Sequence, residues 1–149
     1  WHLEGQTVVA LANGYVIRDL TIANGSVTLP SSASKVHIGL PYTSEVQSLR
    51  IDNGNVGDTI QGRDKKISRL SLRFADTLGG WYGPDRDHMR EIKYGLPSQY
   101  GQPPEWVTGD KGVTMSPSWN KDGYVIVQQR DPLPMNLLAL VPDVLIGGN

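Results

Sequence analysis

The sequence predicts an all-β fold, a small barrel or sandwich built of hairpins with one long loop rich in glycine, proline and aromatic residues. Its 149 residues include 17 glycines and 10 prolines but only 19% charged residues, whereas helical domains contain fewer helix breakers. Asn-Gly and Asp-Gly pairs recur between short apolar segments, and such pairs suit tight hairpin turns. Residues 67–74 alternate apolar and polar side chains, which is the period of a half-buried strand.

The first thirty residues predict a three-stranded meander. Asn13-Gly14 and Asn24-Gly25 each lie between strand-like apolar segments. Asn-Gly favours a type I′ turn because both turn positions need positive φ. Strands so close in sequence pair locally at little cost in loop-closure entropy. We therefore expect residues 5–29 to form a small annex within a single domain that spans residues 1–149.

The middle of the chain predicts three further strands. Residues 35–40 form one, which Pro41 ends or marks as an edge because proline cannot donate to a central ladder. Residues 45–51 form a second, closed by an Asn53-Gly54 turn. In the third, residues 67–74, leucines and a phenylalanine alternate with arginines and a serine, which predicts one buried and one solvated face.

Residues 79–106 lack any sustained period and predict a long ordered loop. Their aromatic side chains argue against disorder. These side chains are expected to close over the core, to anchor a protein interface, or to stack on sugar rings. The candidate interaction residues in this segment are Trp81, Tyr82, Arg86, Arg90, Tyr94, Tyr100 and Trp106.

The last part of the chain predicts one more hairpin and two terminal strands. Asp122-Gly123 is expected to connect residues 113–115 to residues 124–128. Residues 137–141 are continuously apolar, which predicts a strand buried on both faces, and residues 144–146 predict a strand after Pro142-Asp143.

Composition excludes several classes of protein. The chain has no cysteine, so disulfides, thiolate catalysis and cysteine-based zinc sites are excluded. A formal net charge of -1 argues against strong nucleic-acid binding by the whole domain. The longest apolar run, residues 137–141, is far shorter than the ~20 residues of a membrane-spanning helix. No secretory signal is evident, and because the chain starts at Trp1 we expect it to be a fragment of a longer protein.

Catalytic motifs are also missing, so we expect no enzymatic activity, no cofactor and no metal. The sequence has no nucleophile elbow, P-loop or dinucleotide fingerprint. We interpret His37 as a structural histidine on one face of a strand. Asp87 and His88 would face opposite sides of a strand, which disfavours a metal site. The carboxylates Asp76, Asp85, Asp87 and Glu91 leave a hydrolase as a remote alternative.

One basic run is present. It comprises Arg63, Lys65, Lys66, Arg69 and Arg73. A solvated strand edge, where lysines discourage aggregation, is the favoured interpretation, and contact with phosphate groups is the alternative.

A series of short motifs runs along nearly the whole chain. It begins with His2-Leu3-Glu4-Gly5-Gln6-Thr7-Val8, then Leu11-Ala12-Asn13-Gly14, then Val36-His37-Ile38-Gly39-Leu40-Pro41-Tyr42. It continues with residues 61–69, Gly83-Pro84-Asp85, Asp131-Pro132-Leu133-Pro134 and residues 137–140. In this order the motifs resemble a family of tail proteins from double-stranded-DNA bacteriophages. Each motif is short, and their common order is the specific part of the resemblance.

The resemblance implies a C-terminal structural domain of a virion tail component, made in the bacterial host cytoplasm. Its partners would be other copies of itself and neighbouring tail proteins, with a surface glycan as an alternative ligand and no membrane. Residues 6–29 also resemble the small β-barrel of the first catalytic-cysteine half-domain of ubiquitin-activating enzymes, which would make the annex a barrel. Ubiquitin-activation chemistry cannot follow, since no cysteine is present. A carbohydrate- or receptor-binding module of a virion is the alternative function.

Overall fold

The computed structural model describes residues 2–52, 59–95, 105–115 and 118–147. Within these ranges the chain forms ten strands in three antiparallel sheets and no helix, so the all-β prediction is confirmed. The sheets do not close into a barrel, and that form of the prediction is wrong. The strands are β1 (Thr7–Ala12), β2 (Tyr15–Thr21), β3 (Val36–Gly39), β4 (Ser44–Gln47), β5 (Lys65–Thr77), β6 (Trp81–Gly83), β7 (Arg90–Glu91), β8 (Val107–Thr114), β9 (Ile126–Gln129) and β10 (Asn136–Ile146). None of the described residues belongs to a helix that is long and apolar enough to cross a membrane.

The first sheet has the order β2-β1-β3. Asn13 and Gly14 take φ of 50° and 85° between β1 and β2, so this hairpin turn is confirmed. Asn24 and Gly25 also turn with positive φ, and the carboxylate of Glu4 accepts both of their backbone N–H groups at 2.7 and 2.8 Å. Residues 27–29 form no strand after this turn. Instead, β3 pairs with the free edge of β1 and completes the sheet.

A β-bulge interrupts the pairing of β1 with β2. Val8 lies opposite Leu20 and Ala10 opposite Ile17, so two residues of β2 face one residue of β1. Asp19 takes φ of 58° there, a conformation that aspartate tolerates better than most residues. Such a bulge redirects the neighbouring side chains, here including Arg18.

The second sheet has the order β10-β5-β8. Leu70, Leu72 and Phe74 on β5 are each 0% exposed, which confirms the predicted period of two. β10 covers residues 136–146 as one strand, where the sequence predicted two.

The third sheet has the order β4-β9-β6-β7. It contains two strands, β6 and β7, from the segment that the sequence predicted to be a long loop. The predicted Asp122-Gly123 hairpin is wrong, because β8 pairs with β5 whereas β9 pairs with β4 and β6. Gly123 does turn, with φ of 63°, but the segments on either side of it join different sheets. The predicted Asn53-Gly54 turn lies outside the described residues.

The second and third sheets pack face to face across the main core. Leu70, Leu72 and Phe74 of β5 meet Tyr82 of β6 and Val127 of β9 in one buried cluster. The core strands pair with segments that are distant in the sequence. The turn residues alone therefore do not determine which sheets pack together.

Candidate functional site

One row of side chains crosses the four-stranded sheet on the face away from the main core. Strand register places Glu45 of β4 opposite Gln128 of β9, which lies opposite Trp81 of β6, which lies opposite Glu91 of β7. The adjacent row of the same sheet includes Val127, which is 1% exposed in the core. Alternation along each strand therefore places this polar and aromatic row on the opposite face.

Two arginines stack on Trp81. The guanidinium carbons of Arg18 and Arg130 lie 5.7 and 5.4 Å from the centroid of the Trp81 ring, within the range of cation–π attraction. Arg18 also donates two hydrogen bonds of 2.7 Å to the carboxylate of Asp131. This bidentate pair raises the pKa of Arg18, chiefly through the hydrogen bond to Asp131.

A second arginine–carboxylate pair lies at the other end of the row. Arg86 donates to both carboxylate oxygens of Glu45, at 3.1 and 2.6 Å, and the side-chain amide of Gln128 donates to one of them. The hydrogen bond from Arg86, followed by that from Gln128, lowers the pKa of Glu45. Arg130 in turn donates to the amide oxygen of Gln128 at 2.8 Å. The row is thus a connected network that joins β4, β9 and the segment after β6.

Two of the predicted interaction aromatics belong to the core instead. Tyr82 is 7% exposed and donates a hydrogen bond to the carbonyl of Thr114 at 3.1 Å. Tyr94 packs edge-on against Phe74, donates to the carbonyl of Gly79 at 2.8 Å, and has its pKa raised by burial to about 12. Their truncation would therefore disturb folding before it disturbed any contact surface.

The other predicted residues are dispersed. Trp81 and Arg86 belong to the polar row, Arg90 is exposed on β7, and Trp106 is 65% exposed beside a groove lined by Leu133. Tyr100 lies outside the described residues. The six described members therefore do not assemble into one surface.

Asp85 and His88 form a hydrogen-bonded turn after β6. Asp85 accepts from the His88 ring at 2.7 Å and from the backbone N–H groups of Asp87 and His88, each at 2.9 Å. The hydrogen bond with the His88 ring is the main cause of the lowered pKa of Asp85. Across the described ranges, no group of three or more histidine and carboxylate side chains is placed to hold a metal ion. His37 is exposed on β3.

The basic run of the sequence is also dispersed. Lys65 is 1% exposed and its ammonium group donates to the carbonyl of Lys121 at 2.9 Å. Arg73 forms a bidentate pair with Asp110 across β5 and β8, at 2.7 and 2.9 Å. β5 is the central strand of its sheet and Lys65 is buried, so the predicted solvated strand edge is wrong. The contacts of Lys65 and Arg73 engage two of the five cations within the framework, which disfavours the alternative of a phosphate-binding patch.

A groove of about 570 Å³ separates the first sheet from the rest of the molecule. Its floor is apolar, with Leu78, Ile92 and Leu133, and Tyr15 and Tyr94 also line it. The charged lining residues are Arg18, Glu91, Lys93 and Asp131. A concave apolar surface with a few polar groups is the usual form of a small-ligand site.

The strand β10 presents the most apolar exposed edge among the described strands. Leu138, Val141, Leu145 and Ile146 are 63%, 58%, 49% and 43% exposed. The sequence predicted that residues 137–141 are buried on both faces, which is wrong because Leu137 and Leu140 pack on the core whereas Leu138 and Val141 face solvent. A strand with a continuous apolar sequence has the same residue pattern whether its second face is buried in the protein interior or exposed to solvent.

Sequence reasoning missed the partners that build the polar row. Arg18, Glu45, Arg130 and Asp131 come from segments up to 113 residues apart, and no local pattern connects them. The Asp19 bulge gives no Asn-Gly or Asp-Gly signal either.

No protein-family model matches the chain, and no curated protein matches it.

Proposed function

We propose that the chain is a structural and assembly domain of a bacteriophage tail component, which contacts other copies of itself and neighbouring tail proteins in the virion. The order of the sequence motifs suggests the tail origin. The observation that carries the assembly role is the apolar, unpaired edge of β10. No catalytic step is part of this proposal.

The edge of β10 is long and mainly apolar, and it has no lysine. Soluble proteins protect such edges with lysines, prolines, bulges or short strands. β10 is 11 residues long, and its protecting features are one charged residue, Asp143, one proline, Pro142, and a bulge at Leu138 in its pairing with β5. By contrast, the β8 edge of the same sheet is rich in glycine and polar residues. The difference favours β10 as the contacting edge.

A second apolar edge supports contact between copies of the chain. β4 ends the third sheet, and the exposed side chains in and around it include Tyr42, Val46 and Leu49, at 72%, 45% and 88% exposure. A β10 edge that meets the β4 edge of the next copy would be a head-to-tail contact, which closes into a ring when the rotation permits. Rings are the expected form of a tail component.

Charge substitutions on β10 test the assembly role. We expect Leu138→Lys with Val141→Lys to leave the domain folded, because both side chains already face solvent, but to block assembly of the intact tail protein into particles. The matched control is Gly112→Lys with Thr114→Lys on the β8 edge, which should assemble normally because a Cβ at Gly112 would meet no neighbouring atom. Folding is measured by circular dichroism and assembly by electron microscopy of particles. Normal assembly of the β10 variant would refute the assigned surface.

Tail origin itself has a separate test. The gene that encodes the chain should lie beside portal and tail genes, and mass spectrometry of purified virions should detect the protein. A location outside any phage genome, with no detection in virions, would remove the tail assignment.

Binding of a carbohydrate or receptor is the second candidate function. The observation that favours it is the groove between the first sheet and the core, where Tyr15 is 43% exposed beside an apolar floor. Aromatic rings in such grooves can stack on sugars. Tyr15→Ala should abolish glycan-array binding under this alternative and leave it unchanged if assembly is the only role.

A further inference from the structure

The side of the molecule where β7 approaches β8 contains a cleft of about 510 Å³. It is lined by Tyr82, Arg90, Glu91, Lys93, Lys111, Gly112 and Val113. The lining residues come from two different sheets, so the cleft lies at an open side of the packed pair. It is distinct from the β10 and β4 edges, which end the same two sheets at their opposite sides.

Three cations converge on this cleft. Arg90 and Lys93 come from β7 and the residues after it, and Lys111 comes from β8. Within the described part of the chain, none of the three forms an ion pair or hydrogen bond with a carboxylate. Other arginines of the structure, such as Arg18 and Arg86, do have carboxylate partners. What distinguishes the cleft is that three such cations line one concave surface.

The strand register explains why Lys111 points into the cleft. Lys111 lies opposite Leu72, whose side chain is buried in the core, so Lys111 leaves β8 on the inner face. Its ammonium group lies 5.9 Å from the centroid of the Tyr94 ring. Across the cleft, Arg90 lies opposite Tyr82 and shares its face of the sheet. The two sheets thus direct positive charge toward one open cleft.

Glu91 is the one acid among the described residues that line the cleft, and it opposes only part of this charge. Three cations and one carboxylate leave the cleft with an excess of positive charge. Clefts of this kind concentrate field lines and attract anions.

We propose that this cleft binds an anionic group, a phosphate or a carboxylate, carried by a ligand of about monosaccharide size. The volume lies within the roughly 300–1,000 Å³ typical of small-molecule sites. Lysine and arginine donors give short, charge-assisted hydrogen bonds to such groups. The proposal does not depend on the assembly role of β10.

Protection of the β8 edge is the competing explanation for Lys111, because inward-pointing charges discourage pairing between sheets. That explanation gives no role to Arg90 or Lys93. It predicts aggregation of a Lys111 variant and no saturable binding of any anion.

Calorimetric titration of the folded chain at low salt tests the proposal. The probes are inorganic phosphate, glucose 6-phosphate, glucuronate and neutral glucose. Lys93→Gln with Lys111→Gln removes two cations from the cleft, and Lys35→Gln with Lys121→Gln removes two cations elsewhere as a charge-matched control. Glu91→Gln removes the opposing carboxylate.

We expect saturable binding of the charged probes, weakened roughly tenfold or more by the cleft double variant because each charge-assisted bond contributes substantially. The control double variant should bind as the wild type does, and Glu91→Gln should bind more tightly. Equal affinity for phosphate and glucose 6-phosphate would assign recognition to the anionic group alone, and a preference for the sugar phosphate or glucuronate would assign it to a charged saccharide. Absence of saturable binding, equal binding of neutral glucose, or equal loss in both double variants would overturn the proposal.

Discussion

At the residue scale, Tyr94 combines burial with a single directional contact. Its ring packs edge-on against Phe74 with centroids 6.2 Å apart, and its hydroxyl donates to the Gly79 carbonyl. Removing the ring from water disfavours the charged phenolate relative to the neutral phenol. This loss of solvation is the cause of the pKa of about 12.

The raised pKa of Tyr94 predicts loss of stability in alkaline solution. Below pH 10 the phenol is neutral in both the folded and the unfolded chain, so it adds no pH dependence. Between pH 10 and about 12 the unfolded chain loses the proton first, and the free energy of unfolding falls as pH rises through that window. Urea unfolding at pH 8, 10 and 11 measures the effect.

Tyr94→Phe is the matched variant for this measurement. It should unfold roughly 1 kcal/mol more easily at pH 8 because it lacks the hydrogen bond to Gly79. It should also lose the part of the alkaline slope that Tyr94 contributes. An identical slope in both proteins would contradict the assignment.

At the element scale, the third sheet draws strands from both halves of the chain. β4 is near residue 45, β6 and β7 lie in the middle, and β9 is near residue 127. The row that contains Glu45, Trp81 and Gln128 therefore connects segments that no hairpin joins. At the centre of this row, Trp81 contacts Arg18 and Arg130.

This arrangement predicts different outcomes for two tryptophan variants. Trp81→Ala should lower the free energy of unfolding by roughly 1–3 kcal/mol, because it removes half-buried packing and two cation–π contacts. Trp106→Ala should change it by less than about 0.5 kcal/mol, because the side chain is 65% exposed. Chemical denaturation of both variants measures the difference, and equal losses would refute the assigned environments.

At the scale of the whole molecule, an ion pair links the first sheet to the segment after β9. The side chain of Asp131 is 4% exposed, whereas that of Arg18 is 53% exposed. Asp131 is therefore the partner that loses most solvation on folding. Removal of Arg18 would leave a buried carboxylate without its bidentate partner.

Arg18→Gln should consequently lower the free energy of unfolding by about 1–3 kcal/mol. Relative to the wild type, it should accelerate backbone hydrogen exchange more in β1 and β2 than in β5. The double variant Arg18→Gln with Asp131→Asn should recover part of the loss, because the amide carries no charge. Arg73→Gln is the matched control, since the pair of Arg73 and Asp110 is exposed on both sides and should contribute less than about 1 kcal/mol. Similar losses at Arg18 and Arg73 would contradict a linking role.

Local signals in the sequence determined the turns and the faces of single strands. Asn13-Gly14 turns as predicted because asparagine and glycine adopt positive φ more readily than other residues. Residues 70, 72 and 74 are buried as predicted because alternation is a property of any strand. Neither conclusion needs knowledge of the partner strand.

Only the tertiary structure decided which strands pair and which surfaces stay open. Asp122-Gly123 turns without forming a hairpin. The strand before it, β8, pairs with β5 in one sheet, and the strand after it, β9, pairs with β4 and β6 in another. The open face of β10, the stacking of Arg18 on Trp81 and the cleft at Lys111 all depend on pairings between distant residues. Such pairings depend on how much apolar surface the paired strands bury together in the core. No short segment of the chain contains that information.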